Sequence, residues 1–404
     1  MGTDERRTAT AGVRPGGLGA GLGDAAVALT AELVAIDSVN PGLVPGAPGE
    51  TAVVEHLATR LAAAGFATHV VSPDGHPDRP SLVALGPMTS SGPTVVLTGH
   101  VDTVGTEGIP GALTPTTDGD RMTGRGTSDM KGGIAAMVVA AERLAAVGVP
   151  GRVVLALVAD EEDASLGTET VLAALPGLGV RPDVAVVGEP TWLAQTATLR
   201  GYALVEVTFR GRPAHSSQPE QGVNAVTHLG RFLSAVEAHD ARLPKPGGSL
   251  LVTVAAGGES PFVLARSARA VVERRTVPGE SAADALAEVE ALVSDLRAAD
   301  PGISADASLT MAREAWRVDA HGPAHTLGAA LTEALGDDAP PGAFDAPYWM
   351  EAPLWQDAGI PALVCGPAGG GLHAADEWVD LGQVRRYAEA LVAAVSVWSR
   401  GHAH

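Results

Sequence analysis

The sequence predicts an α/β protein interrupted by an inserted α+β unit, and three observations predict it. Continuous apolar runs, such as residues 94–98 and 152–159, alternate with helical periods, the pattern of a sheet covered on both faces. After Leu199 the texture changes: residues 202–209 (YALVEVTF) alternate like a half-exposed strand. At 404 residues the chain also exceeds one ordinary core, so about two domains are expected.

Taken in order, residues 24–39 repeat apolar side chains at helical spacing (Ala26, Leu29, Leu33, Val34) until Pro41 and Gly42 stop the pattern. A second helix is expected over 50–64, ending at Gly65. Strands follow at 81–85 and 94–98, a helix at 132–146, and strands at 152–159 and 183–187. The insert reads as strand 202–209, helix 223–238, strands 250–255 and 268–276, helix 282–298 and strand 304–311, giving two helices on one antiparallel sheet. The α/β texture then resumes with helix 325–335, strand 362–365 and helix 383–398.

Composition excludes several classes. Hydrophobic residues make up 46% and charged residues 18%, the balance of a folded chain rather than a disordered one. With 47 acidic against 27 basic residues the net charge is -20, which disfavours nucleic acid and anionic membranes as partners. No apolar stretch of about 18 residues is present to span a bilayer. The first 22 residues lack the apolar segment of a secretory signal and read as a flexible tail. The single cysteine, Cys365, excludes an intramolecular disulfide, so a cytoplasmic setting is expected; it ends an apolar run and reads as a buried strand residue.

Five segments carry chemistry, each following an apolar strand or opening a helix. The run 94–98 leads into Gly99-His100-Val101-Asp102-Thr103. Reacting groups in open α/β sheets gather at the carboxyl ends of strands. A metal-bound histidine gives its other ring N–H to a carboxylate or a carbonyl, and here the partner is Asp102 or a backbone carbonyl. Gly124-Arg125-Gly126-Thr127-Ser128-Asp129-Met130-Lys131-Gly132-Gly133 opens a helix. It reads as a plain N-cap or as a glycine-bent loop that brings Asp129 to a site; it lacks Walker spacing. Asp160-Glu161-Glu162-Asp163 places four acids in a row at a strand end. An exposed loop tip would dilute their repulsion, and divalent cations would remove it more completely. Glu189, in Gly188-Glu189-Pro190-Thr191, and His373, after Gly369-Gly370-Gly371, complete the set. Two imidazoles and several carboxylates without a thiolate suit zinc, and also cobalt or manganese.

Together these segments resemble the M20 metallopeptidase family of acetylornithine deacetylase, succinyl-diaminopimelate desuccinylase and glutamate carboxypeptidase-like enzymes. GHVDT, GRGTSDMKGG, DEE, GEPT and GLHAADEW stand in the family's order, over a span from about Ala25 to Val397. The resemblance implies a two-domain fold: a mixed-sheet catalytic, metal-binding domain of residues 23–199 and 313–404, with a ferredoxin-like lid and dimerisation domain at 200–312. It implies two divalent ions, with His100 and Glu189 as ligands of one, Glu162 and His373 of the other, and Asp129 between them. Asp102 matches the acid that orients His100, and Glu161 the general base that activates a bridging water. His215, in GRPAHSS, matches a histidine that reaches the partner protomer's site in a homodimer. Arg275, or Arg274 beside it, matches a grip on a substrate carboxylate, and Gly370 with its glycine neighbours lines the same pocket. The activity implied is hydrolysis of an amide bond in a small N-acyl amino acid or small peptide. One departure stands out: residues 348–354 (YWMEAPL) replace the Thr-Asp-Ala of many relatives.

Overall fold

The computed structural model describes residues 21–244 and 247–403. Of the tail expected over 1–22, residues 1–20 fall outside that range, and Gly21 and Leu22 already open a helix.

In chain order the elements are α1 (Leu22–Val34), α2 (Thr51–Ala63), β1 (Ala67–Val71), β2 (Ser81–Leu85), β3 (Thr94–His100), β4 (Thr116–Asp118), β5 (Arg121–Thr123), α3 (Gly132–Val147), β6 (Arg152–Val158), α4 (Leu166–Ala174), β7 (Val184–Val187) and β8 (Thr196–Leu199). Then come β9 (Gly201–Arg210), α5 (Ala225–Asp240), β10 (Ser249–Gly257), β11 (Ser267–Thr276), α6 (Ala282–Ala299) and β12 (Ser304–Arg313). The chain continues with β13 (Trp316–Arg317), α7 (Pro323–Leu335), β14 (Phe344–Ala346), α8 (Ala352–Asp357), β15 (Ala362–Val364), β16 (Gly369–Gly370), β17 (Trp378–Asp380) and α9 (Leu381–Gly401).

Six strands form the principal sheet in the order β1-β2-β6-β3-β7-β15. The four from β6 to β15 are parallel, and β1 and β2 add antiparallel pairs at one edge. The side chains of the five strands from β2 to β15 are almost wholly buried because both faces are covered, while edge strand β1 stays partly exposed. Leu97, Leu155 and Val186 pack with Leu29, Leu57, Ile134 and Leu391 from α1, α2, α3 and α9. Val96, Ala156 and Val187 pack on the opposite face with Val171 of α4 and Trp355 of α8. Removing that much apolar area from water is the main driving force holding the layers together.

The insert has its own core. β9 alternates buried and half-buried residues along its length, as the period-2 sequence requires. Val205, Val207 and Phe209 face Phe232 of α5 and Val289 of α6. The sheet order β10-β11-β9-β12 is antiparallel throughout, so the connectivity is ferredoxin-like. A Ser281–Asp284 capping box starts α6.

Several expected boundaries shift. α1 ends at Val34 rather than near residue 39, because the chain must leave the helix for Asn40 to enter a buried polar cluster. β1, β4, β5, α4, β8, β13, β14, α8, β16 and β17 were not anticipated: they are short, and their sequences show no clear period.

Candidate metal centre

The parallel register of β6, β3, β7 and β15 puts the carboxyl ends of these strands along one edge of the sheet. His100 is the last residue of β3, Glu161 and Glu162 follow β6, and Glu189 follows β7. His373 follows the glycine-rich segment beyond β15, and Asp129 lies in the turn leading into α3, three residues before its first residue. A close approach ties two of these segments together. A Cβ on Gly133 would lie 2.2 Å from the Gly188 carbonyl oxygen, so glycine there lets α3 rest against the Glu189 turn.

The predicted side chains converge. His100 is fully buried, with Nε2 3.0 Å from Asp129 Oδ1 and 3.9 Å from Glu189 Oε1. His373 Nε2 lies 3.3 Å from Asp129 Oδ2 and 3.0 Å from Glu162 Oε2. Asp129 therefore turns one oxygen to each imidazole. Donor atoms of His100, Glu161 and Glu189, and of His100, Asp129 and Glu162, lie within 4.8 Å of one another. By distance alone Glu161 qualifies as a ligand as well as Glu189 does. Its partners set it apart: among the described residues no hydrogen bond or ion pair engages its carboxylate. Asp102 presents its backbone carbonyl 3.1 Å and its carboxylate 3.5 Å from His100 Nδ1. The two partners left open by the sequence thus both face that nitrogen, which fixes Nδ1 as donor and frees Nε2.

A layer of buried charge behind these groups was not read from the sequence. Asp102 accepts the Glu161 and Glu162 backbone N–H groups at 3.2 Å and the Asn40 amide at 2.8 Å. Asn40 also reaches Asp160 at 3.1 Å, and Arg79 binds Asp160 at 2.8 Å while gripping Glu50 with two nitrogens. These bonds hold Asp160 at φ 67°, a left-handed backbone that non-glycine residues adopt at a cost of about 1–3 kcal/mol. On the other side, Glu377 accepts the N–H groups of Gly126, Ser128 and Asp129 and the Arg125 guanidinium at 2.7–3.1 Å. Arg125 also donates to the carbonyl of His373, whose φ of 62° is again left-handed. No local pattern marks Asn40, Arg79 or Glu377, each a single polar residue far in sequence from its partners. The one signal was that Asp376 and Glu377 stand three and four residues after His373 in GLHAADEW.

The electrostatics show a cluster short of positive charge. Burial alone would discharge His100, but hydrogen bonds to Asp102 and Asp129, with Glu189 and Glu161 nearby, hold its pKa well above the usual value. Hydrogen bonds to Asp129 and Glu162 push His373 up to about 10. Burial, followed by repulsion among the acids, raises Glu161 and Glu189 despite the pull of His100. Protons thus stand where cations would relieve the same repulsion. Two imidazoles and four carboxylates, with one carboxylate facing both rings, fit a pair of divalent ions.

Glu351, in the divergent segment 348–354, belongs to this cluster. It is fully buried, accepts the Thr168 hydroxyl at 2.7 Å, and leaves Oε2 without a partner. Burial, only partly offset by the Thr168 bond, pushes its pKa from 4.5 up to about 7. A raised carboxyl pKa means its contribution to stability is present below about pH 4.5 and lost as pH rises through about 7. Glu351→Gln keeps the acceptor for Thr168 but cannot ionise. In chelator-treated protein it should raise the unfolding free energy at pH 8 by roughly 1–2 kcal/mol more than at pH 5.5. Equal effects at the two pH values in denaturant titrations would contradict this.

The insert supplies the remaining predicted residues. His215 is exposed and bonds through Nδ1 to the Ser217 hydroxyl at 2.8 Å; among the described residues it makes no contact with the cluster. Arg274 is buried and tied to Glu288 and Glu280, which makes it a structural residue. Arg275 is the freer of the pair: it is partly exposed, pairs with Glu273 at 2.5 Å and lies over the Tyr202 ring. Gly370 pairs with Trp378 in β16–β17, on the approach to His373.

Comparisons with known proteins agree with this geometry. A family model described as Peptidase family M20/M25/M40 matches residues 96–397. An acetylornithine deacetylase of Myxococcus xanthus is 31% identical over 384 residues, covering 92% of this chain and 96% of that protein. A succinyl-diaminopimelate desuccinylase of Acidovorax ebreus is 34% identical over 229 residues, half of this chain and 56% of that protein. Among solved structures, a Staphylococcus aureus tripeptidase superposes with a TM-score of 0.77 at 18% identity, covering 94% of this chain and 99% of that one. A Bacillus subtilis dinuclear metal binding peptidase of the M20 family superposes with a TM-score of 0.70 at 14% identity, covering 94% and 99%. At such identities the structural likeness speaks for the fold.

Proposed function

Since the chain belongs to peptidase family M20/M25/M40, we propose that it hydrolyses the amide bond of a small N-acyl amino acid, releasing a carboxylate and a free amine. The observation that carries this reading is Asp129 set between His100 and His373, with the unpartnered carboxylate of Glu161 beside them. His100 and Glu189 would hold one divalent ion, Glu162 and His373 the other, and Asp129 both. Zinc suits these nitrogen and oxygen donors best. When bound, the ions supply positive charge that polarises the scissile carbonyl and acidifies the attacking water.

The chain's own residues do the rest. Asp102 keeps His100 oriented from the Nδ1 side. Glu161 takes the proton of the attacking water and delivers it to the leaving nitrogen, a transfer worth about 10²–10⁴ in rate. Arg275 and the Gly370 backbone receive the substrate carboxylate, where a guanidinium suits a bidentate grip.

We extend the reading to a homodimer joined through the insert, which supplies His215 to the partner's centre. Exposed Leu251, Val254, Phe262 and Val263 and the open edge of β10 support an interface there. Among the described residues no helix is long and apolar enough to cross a membrane. The one cysteine is buried and unpaired, in keeping with the cytoplasm.

The test is a hydrolysis screen of N-acetyl and N-succinyl amino acids and dipeptides after loading with Zn²⁺, Co²⁺ or Mn²⁺. N-acyl amino acids are the expected substrates, with turnover abolished by chelation and restored by the ion. Cleavage confined to dipeptides would replace this reading with a peptidase built on the same centre. No cleavage by fully loaded protein would refute both.

A further inference from the structure

Aromatic side chains are scarce in this chain, with 5 Phe, 3 Tyr and 6 Trp in 404 residues. Three of them nevertheless form a continuous array beside the Glu189 turn. Trp192 meets Phe344 edge-on, with ring centres 5.9 Å apart and planes at 79°. Phe344 in turn meets Tyr348 at 6.3 Å. The Tyr348 hydroxyl donates to the Pro190 carbonyl at 3.5 Å, so the array closes back on the residue after Glu189.

Hydrogen bonds fix where the array lies. The Trp192 indole N–H donates to the Gly369 carbonyl at 3.2 Å, and the Gly369 N–H donates to the Ser128 hydroxyl at 3.2 Å. Two bonds therefore link the indole to the neighbour of Asp129. Burial first, and then the charges of Glu189 and Asp129, raise the Tyr348 phenol pKa, which agrees with a ring at the rim of the cluster.

Trp192 is held out at a conformational cost. It remains 43% exposed, and both Trp192 and Leu193 adopt left-handed φ, 53° and 63°. Residues with a Cβ stay in that region only where their surroundings over-determine it. Here the N–H groups of Thr191 and Leu193 both donate to the Gly366 carbonyl. A solitary surface tryptophan needs no explanation. A strained one, braced by a second ring and by a hydrogen bond to the Gly369 carbonyl, calls for one.

We propose that Trp192, Phe344 and Tyr348 form a stacking wall that selects an aromatic or bulky apolar group on the acyl or amino-acid side of the substrate. This rests on the amide-hydrolase reading and adds the substrate class to it. A planar apolar group gains both from covering Trp192 and from its own burial. A cationic side chain gains less, because a single exposed ring face attracts it weakly and, among the described residues, no carboxylate hydrogen-bonds to these rings. Asp345, between Phe344 and Tyr348 in sequence, is engaged by the Thr198 hydroxyl.

The test is a panel of N-acetylglycine, N-acetylleucine, N-acetylphenylalanine, N-benzoylglycine and N-acetylornithine on the ion-loaded protein. The aromatic members should lead N-acetylglycine and N-acetylornithine by about tenfold or more in kcat/KM. Trp192→Ala should lower kcat/KM for the aromatic members about 10–100-fold, mainly through KM, with a loss that shrinks toward N-acetylglycine. Trp192→Phe should recover most of it. Equal losses across the panel, or a lead for N-acetylornithine that Trp192→Ala removes, would overturn the wall. Absence of any hydrolysis would instead strike the amide-hydrolase reading. In that case titrating N-benzoylglycine against tryptophan fluorescence still decides, since a signal unchanged in Trp192→Phe would show that Trp192 does not meet the ring.

Discussion

Glu161→Gln is expected to lower kcat about 10²–10⁴-fold while the protein still takes up two divalent ions per chain. The substitution keeps size and shape and removes only the ability to accept a proton. Among the described residues nothing bonds to that carboxylate: the Glu161 backbone N–H, not its side chain, bonds to Asp102, and no imidazole forms an ion pair with it. Glu162, one residue on, bonds His373 at 3.0 Å, and Glu162→Gln should therefore lose metal as well as rate. Elemental analysis alongside steady-state kinetics separates the two. Full activity in Glu161→Gln would refute the proton-shuttle role, and loss of an ion would make Glu161 a ligand.

The second large effect is expected at His215, where alanine should reduce kcat by about 10²–10³ without changing the ion content. Among the described residues its ring bonds only to Ser217, so a defect of this size would have to act in another protomer. Mixing His215→Ala with Glu161→Gln protein checks this directly. In a mixed dimer one centre keeps its own Glu161 and receives an intact His215 from its partner, so part of the activity returns. No recovery despite confirmed subunit exchange would remove His215 from the shared centre.

The sequence carried the principal strands well, because residues buried on both faces leave continuous apolar runs that end where the polar segments begin. β2 was read at 81–85 and observed at Ser81–Leu85. The insert was equally clear, since the period of β9 survives intact in its burial. His100, Glu162 and Glu189 followed from strand ends along a single edge, and Asp129 and His373 from the turns beside them. What escaped was chemistry made by contacts between distant single residues. Glu50 and Arg79 look like ordinary surface charges until folding buries them against Asp160. Arg274 and Arg275 are indistinguishable in sequence, and only strand alternation turns one inward to Glu288 and leaves the other outside. The aromatic array escaped for the same reason: Trp192 and Phe344 belong to segments more than a hundred residues apart that the pairing of β8 with β14 brings together.

The bonds from Glu377 to the backbone of Ser128 and Asp129 close loops of 249 and 248 residues. Loop-closure entropy rises only by about 0.6 kcal/mol per doubling, so the closure is thermodynamically cheap, but it belongs to the slow, non-local part of folding. During synthesis the first acids of the cluster emerge long before their last imidazole and before the carboxylate that props Asp129. A nascent chain offers cations only a partial and misaligned set of donors. Ion uptake therefore becomes a signature of a finished fold, and an unmetallated pool would report chains still waiting for their final segment to dock.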